Sequence, residues 1–251
     1  HHPLTSSQVA AVAAVIGQRY PVYELLTYFA AYTGLRAAEL SGLETADIVF
    51  SPALADQSVN ASVNVRRTKK RQAGNWVSGT LKSKRSRRSV PLPGWLAERM
   101  ADYLQNVHPF GDPQSSGYDA AAPLWPNRSK GGYRNPDVLA VSPLDYSEPP
   151  NMHTFYENVF QPALAAVGLP VSSPAIPERT NEDGTTTPAR AAVTGVRWHD
   201  LRHTFATLQL SAGVHFMQVS KWLGHATYTL TLDTYGDWVP EADGGAANSL
   251  P

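Results

Sequence analysis

Five side chains in this sequence, two arginines, two histidines and a tyrosine, have the types and spacing to attack a phosphodiester. His199-Asp200-Leu201-Arg202-His203-Thr204 is followed by Leu223-Gly224-His225, and Tyr235 comes ten residues after that histidine. Far upstream, Thr33-Gly34-Leu35-Arg36-Ala37-Ala38-Glu39-Leu40 supplies the other arginine. Cleavage by a protein nucleophile needs an attacking atom and cationic donors for the non-bridging oxygens. It also needs an outlet for the attacking proton and a proton for the departing oxygen. The phenol of Tyr235, with an ordinary pKa of about 10, is both a tolerable nucleophile and a tolerable leaving group, so its covalent step can reverse. Arg36 and Arg202 offer permanently charged planar forks matched to phosphate oxygens. His199 and His225 can donate hydrogen bonds or move protons near neutral pH. Lys82 can protonate the departing oxygen from a basic turn, and Lys84, two residues on, points the same way in a strand and competes for that role. Glu39 is read as support for the Arg36 region.

These residues need a scaffold that brings distant segments together. Thr5-Ser6-Ser7-Gln8 has the form of a capping box ahead of an apolar helical run. Pro21 suits the first turn of a second helix, and Gly34 its C-terminal stop. A short helix is predicted over 36–43. Between 48 and 91 the texture becomes β-branched alternation, with strands predicted around 59–65, 76–81 and 89–90 and turns at Gly74 and near Lys84. A helix restarts at Pro93, another spans 152–167, and three more are predicted over 199–212, 217–223 and 229–235. Residues 108–150 and 170–195 read as long irregular stretches rich in Pro, Gly and polar residues. The expected class is α+β, mainly helical, with one small antiparallel three-stranded sheet.

The chain has 251 residues, 42% hydrophobic and 17% charged, and no cysteine, which excludes disulfides, thiolate metal sites and a cysteine nucleophile. No apolar run reaches membrane-spanning length. The net charge is zero, from 21 Lys+Arg and 21 Asp+Glu. Its distribution is uneven: ten of those cations lie between residues 66 and 88, and no acid falls between Asp56 and Glu98. Arg66, Arg67, Lys69, Lys70, Lys84, Arg85, Arg87 and Arg88 are therefore candidate contacts to a polyanion.

The boxes in this order, with a basic hairpin (Leu81–Pro93) between the first and the last, resemble the catalytic domain of the tyrosine recombinases, the phage integrase family. The segment from Leu223 to Tyr235 looks like integrases of actinobacterial phages or genomic islands. The resemblance implies that Arg36 and Arg202 clamp the scissile phosphate and that His199 is an acid or base near the tyrosine. It implies that His225 bonds a non-bridging oxygen, that Lys82 is the general acid and that Tyr235 forms a 3′-phosphotyrosyl link. His203 is read as a structural member of its box. Double-stranded DNA is the implied partner, with four protomers of the full-length protein on two sites, no cofactor, no metal and no membrane. A cytoplasmic, nucleoid-associated setting, bacterial or phage-encoded, goes with that reading. His1-His2 resembles a residual purification tag. The catalytic domain is then expected over 5–240, with 241–251 a flexible tail, the relatives' N-terminal core-binding domain lying outside the chain, and the isolated domain a monomer.

Three rivals stand beside this reading. HDLRH imitates the zinc-hydrolase pattern HExxH, with two histidines at i,i+4, but an Asp replaces the Glu and no third ligand is in frame. A topoisomerase of the type IB class would share the chemistry. A catalytically silent DNA-binding module would share the fold alone.

Overall fold

The computed structural model describes residues 2–51, 59–80, 86–129, 142–180 and 185–238. Lys82, Lys84, Arg85 and the expected 241–251 tail lie outside the described residues.

The first helix, α1 (Ser6–Gly17), starts where its sequence says it should. Thr5 accepts from the Gln8 backbone and the Gln8 side chain bonds back to the Thr5 N–H. Val9, Val12, Ala13 and Ile16 recur on one helical face and are buried there against α2 (Pro21–Thr33). The second helix opens on Pro21 and stops at Gly34, whose φ of 64° is left-handed. An added Cβ at Gly34 would also lie 2.6 Å from the Phe205 ring. Both backbone and packing therefore require glycine at this turn. Arg36 then caps α3 (Ala37–Leu40).

A three-stranded antiparallel sheet follows, in the order β1 (Ile48–Ser51), β2 (Asn60–Val65), β5 (Arg88–Pro91). Ala61, Val63 and Val65 point inward on β2 while Ser62 and Asn64 alternate outward, so a single face carries the core contact. The membership differs from the sequence expectation. The 76–81 strand is not in this sheet; β3 (Arg67–Gln72) and β4 (Asn75–Thr80) pair only with each other. The reason is burial: no residue of β3 or β4 is fully buried, so the pattern that looked like a core strand is a separate hairpin packed beside α3. Its two-residue turn, Ala73-Gly74, has positive φ at both positions, as hairpin twist demands.

Helix α4 (Gly94–Asp102) runs on through a π-helical stretch, Tyr103–Val107. The helix expected over 152–167 is three joined pieces, α5 (Met152–Phe155), a π-stretch (Tyr156–Phe160) and α6 (Gln161–Ala166). Pro162 removes a backbone donor at that junction, which accounts for the widened turn before it. The 108–150 stretch is more than an excursion. It delivers Leu124 and Trp125 fully buried into the core, Trp125 stacking on Tyr103 and meeting Phe29 edge-on. Residues 127–128 and 144–145 pair as a short ladder, β6 with β7. In the 170–195 stretch Ser173↔Val193, Ile176↔Arg190, Arg179↔Thr187 and Thr180↔Thr186 share one register. They form one exposed two-stranded arm, in which β8 (Arg179–Thr180) and β9 (Thr186–Thr187) are the parts without proline interruption.

The closing helices are α7 (Asp200–Ser211), α8 (Phe216–Leu223) and α9 (Thr229–Tyr235), each within a residue of its predicted start and end. α7 packs on α2 and α8, and α8 packs on α9 and β5. Among the described residues no helix is long and apolar enough to cross a membrane.

Candidate active site

Arg202 anchors the site. Its side chain is buried on α7, and it donates to the Gly34 carbonyl at 2.8 Å and the Leu223 carbonyl at 2.6 Å. Those carbonyls lie at the C-terminal ends of α2 and α8, where helices leave acceptors unfilled and carry partial negative charge. One guanidinium thus joins three helices and remains tolerable without a carboxylate. Burial, then the charges of Arg36 and Arg88, push its pKa down to about 9, so it stays cationic at neutral pH.

Arg36 sits at the start of α3, 42% exposed, with its Nη1 donating to Glu39 Oε1 at 3.0 Å and its backbone N–H to Oε2 at 2.8 Å. Glu39 is itself buried and is gripped by both Nη atoms of Arg88 at 2.9 Å. Burial pushes its carboxyl pKa up, but Arg88 and Arg36 outweigh that and hold it below the ordinary value. Glu39 thus bonds to both arginines, and the outward-facing role read for Arg88 is corrected. Arg88 is turned inward, bonded to Glu39, to the Ser86 carbonyl and to the Trp222 carbonyl, and is no outward-facing cation.

His199 lies at the N-terminal cap of α7, and His225 follows Gly224, a left-handed C-terminal residue of α8. His225 Nδ1 lies 2.8 Å from the hydroxyl of Thr231, a fully buried residue of α9. One turn further along the same helix face, the Tyr235 hydroxyl lies 2.6 Å from His203 Nδ1. Two histidines from different boxes therefore fasten α9 to the site. Thr231 and the tyrosine-holding job of His203 were missed in the sequence, although 231/235 and 199/203 are both i,i+4 pairs. Tyr235 is buried, 4% exposed, and burial pushes its pKa up to about 12 against the lowering pull of Arg202.

Arg36 and Arg202 lie within electrostatic reach of each other and of both His199 and His225. Burial first, then Arg202 and Arg36, lower His199. Burial, Arg202, Arg36 and Arg88 push His225 down to about 4, and burial with His199 pushes His203 down to about 4. Unfolded histidine titrates near 6.5, so between about pH 4 and 6.5 the unfolded chain binds more protons and stability rises with pH. The melting temperature should therefore fall steadily from pH 7 to pH 4, and His225→Gln should flatten part of that slope in calorimetry. A slope unchanged in His225→Gln would mean that His225 is not the buried neutral base described.

Asp200 bears on the HExxH-like rival. It is fully buried and bonded to the Arg197 N–H at 2.8 Å and to the Arg197 guanidinium at 3.1 Å, so it does not face outward as a general base. Among the described residues no cluster of three or more His, Asp or Glu is placed to hold a metal.

The described candidate contacts of the basic run divide into three groups. Arg67 pairs with Glu44 and Asp47 at 2.8 and 2.6 Å, and Lys69 with Glu44 at 3.5 Å. Arg66, Lys70 and Arg87 are exposed, Arg66 with a long contact to Asp47 at 3.7 Å. Arg88 is buried. Acids remote in sequence supply the partners that the local stretch lacks.

A tyrosine recombinase XerC-like protein of Caldanaerobacter subterraneus subsp. tengcongensis is 24% identical to the chain over 238 residues, 94% of this chain and 50% of that protein. Among solved structures, the Tn1549 transposon integrase (aa 82–397) in complex with circular intermediate DNA gives a TM-score of 0.58 at 18% identity, covering 99% of this chain and 65% of that one. XerA recombinase gives 0.52 at 16% identity, covering 96% and 66%. The fold is that of the tyrosine recombinases. No protein-family model matches the chain, and it spans about half the length of the curated relative. Within a tyrosine recombinase fold, the residues that resembled the family's boxes are the ones that meet at the ends of α2, α7 and α8.

Proposed function

We propose that this domain cleaves and rejoins DNA strands through a 3′-phosphotyrosyl intermediate, as the catalytic part of a site-specific recombinase of integrase type. The observation that carries the reading is the convergence of Arg36, Arg202, His199 and His225 beside a tyrosine held on α9. It is supported by the Tn1549 integrase and XerH recombinase structures, which were solved with circular intermediate DNA and with difH substrate.

In this mechanism the scissile phosphate enters beside the exposed Arg36 fork and the remaining donors of Arg202, and His225 donates to a non-bridging oxygen. The phosphate's charge reverses the local field: a neighbouring anion favours the protonated histidines that the arginines alone disfavour. Tyr235 leaves its bond to His203, its oxygen forms a bond to phosphorus and the bond to the 5′-oxygen breaks. The phenolic proton passes to a histidine of the site, and the 5′-oxygen takes a proton from Lys82 or Lys84. Attack by a 5′-hydroxyl on the phosphotyrosine reverses each step, so the phosphodiester energy is conserved. The family resemblance extends the proposal to four protomers of the whole protein acting on two DNA sites in the cytoplasm.

The test is a nicked suicide duplex that loses its 5′-hydroxyl end after cleavage. A covalent adduct should accumulate, with mass spectrometry placing the nucleotide on the peptide that carries Tyr235; absence of any adduct at saturating duplex would overturn the reading. A second expectation concerns binding. The affinity for duplex should fall with salt at a slope of about 0.9 per phosphate contact. Lys70→Ala and Arg87→Ala should each lower that slope by about 1. Arg67→Ala should leave the slope nearly unchanged, because Glu44 and Asp47 already neutralise that charge.

A further inference from the structure

A cavity of about 200 Å³ lies on the far side of α5 from His199, where Arg71, Asn127, Arg128, Asn151, Thr154 and Asn158 line it together with Tyr23, Pro150 and Phe155. No carboxylate lines it among the described residues. Elsewhere in the described residues, every arginine that is partly or fully buried is held either by a carboxylate or, for Arg202, by two backbone carbonyls. Arg71 and Arg128 are the exceptions. Arg128 lies over the Tyr20 ring at 5.6 Å, and its buried Nε and Nη1 have no hydrogen-bond partner. Arg71 donates only its Nε, to the carbonyl of Gly74 in its own turn.

Two guanidiniums that share a cavity repel each other, and a buried N–H without an acceptor is costly. An anion relieves both conditions at once. Asn151 places its Oδ1 on the backbone N–H groups of His153 and Thr154, which leaves its amide N–H pair as further donors. Two forks together with side-chain amides suit a group with more than two acceptor oxygens, which favours a tetrahedral phosphate over a carboxylate.

We infer that Arg71 and Arg128 form a second phosphate-binding subsite, separate from the Arg36–Arg202 centre. α5 and the π-stretch after it turn Met152, His153 and Tyr156 toward the groove that holds His199, and Thr154 and Asn158 toward this cavity. The cavity and the groove that holds His199 thus lie on different faces of this helical segment. On the recombinase reading, its occupant is a backbone phosphate flanking the cleavage point. A free phosphate ester offers the same chemistry.

Two measurements on the intact chain separate these sources. Inorganic phosphate should raise the melting temperature above that in chloride or acetate at matched ionic strength, and the rise should vanish in Arg71→Ala with Arg128→Gln. Duplex binding, followed from about 50 to 200 mM salt, should lose about 1 from its slope for each arginine replaced. Arg128→Gln keeps the stem over Tyr20, and Arg71→Ala removes only a bond within the hairpin turn, so the single variants remain readable if the double variant folds poorly. Loss of the phosphate effect with an unchanged duplex slope would assign the subsite to a free ester and overturn the DNA contact. No specific phosphate effect and no change of slope would overturn the subsite itself. The phosphate measurement needs no DNA, so it stands even if the suicide duplex gives no adduct.

Discussion

Tyr235→Phe should abolish the covalent adduct with a nicked suicide duplex while leaving duplex affinity within about twofold and stability within about 1 kcal/mol, the net worth of one hydrogen bond. The affinity expectation follows from burial: the hydroxyl is turned to His203 and contributes no surface charge. The activity expectation follows from chemistry, because phenylalanine keeps the ring in its place and removes the only atom that can attack. At a pKa of about 12 the phenol is almost wholly protonated at neutral pH, with a phenolate fraction of about 10⁻⁵. The bond to His203 is therefore a resting arrangement and not an activated one. His203, itself neutral, shares a hydrogen bond with the phenol and leaves the proton on it. In the proposed mechanism the hydroxyl is activated by leaving His203 for the phosphate beside Arg202, whose charge already lowers its pKa in the resting state. An adduct that persists in Tyr235→Phe would place the nucleophile elsewhere, with Tyr228, exposed on the turn before α9, the first candidate.

Much of this was legible in the sequence because it is local. The Thr5 cap, the Gly34 stop and the bounds of α7, α8 and α9 depend on neighbours within a turn or two, and the structure places them as predicted. Arg88 shows where locality fails. Its sequence neighbours are cations, which read as a solvated basic face, yet its partner Glu39 lies 49 positions away and is brought to it by the packing of β5 beside α8 and α3. Arg67 is the same case, with Asp47 lying 20 positions away. Charge is visible in a sequence; neutralisation by a distant acid is a tertiary fact. The β3–β4 hairpin fails for a related reason: alternation shows that a strand has two faces, not that anything covers one of them. Tyr235 packs as a buried aromatic, and its hydroxyl meets His203, a residue 32 positions away, which no local pattern could show.

Glu39→Ala should have the largest effect on stability of any single change around the site. The Arg88 and Glu39 side chains are 3% and 2% exposed, and the pair is bidentate. Removing the carboxylate leaves a buried guanidinium without its counter-charge, a loss of about 3–5 kcal/mol. For a domain of this size that corresponds to roughly 6–20 °C in melting temperature. Glu39→Gln keeps one acceptor and the shape, so its loss should be smaller. The same carboxylate sets the angle of Arg36, through a backbone and a side-chain bond. Stability and phosphate binding are therefore coupled in Glu39→Ala, and Glu39→Leu with Arg88→Met separates them. A buried ion pair replaced whole by apolar groups of similar volume can recover its stability, because both desolvation costs disappear together. The double variant should melt well above Glu39→Ala and close to the parent, yet still cleave poorly, since Arg36 has lost its tether. Calorimetry and the suicide-duplex rate, measured on the same preparations, check both halves. Full recovery of cleavage along with stability would show that Glu39 serves only Arg88, and that Arg36 finds the phosphate unaided.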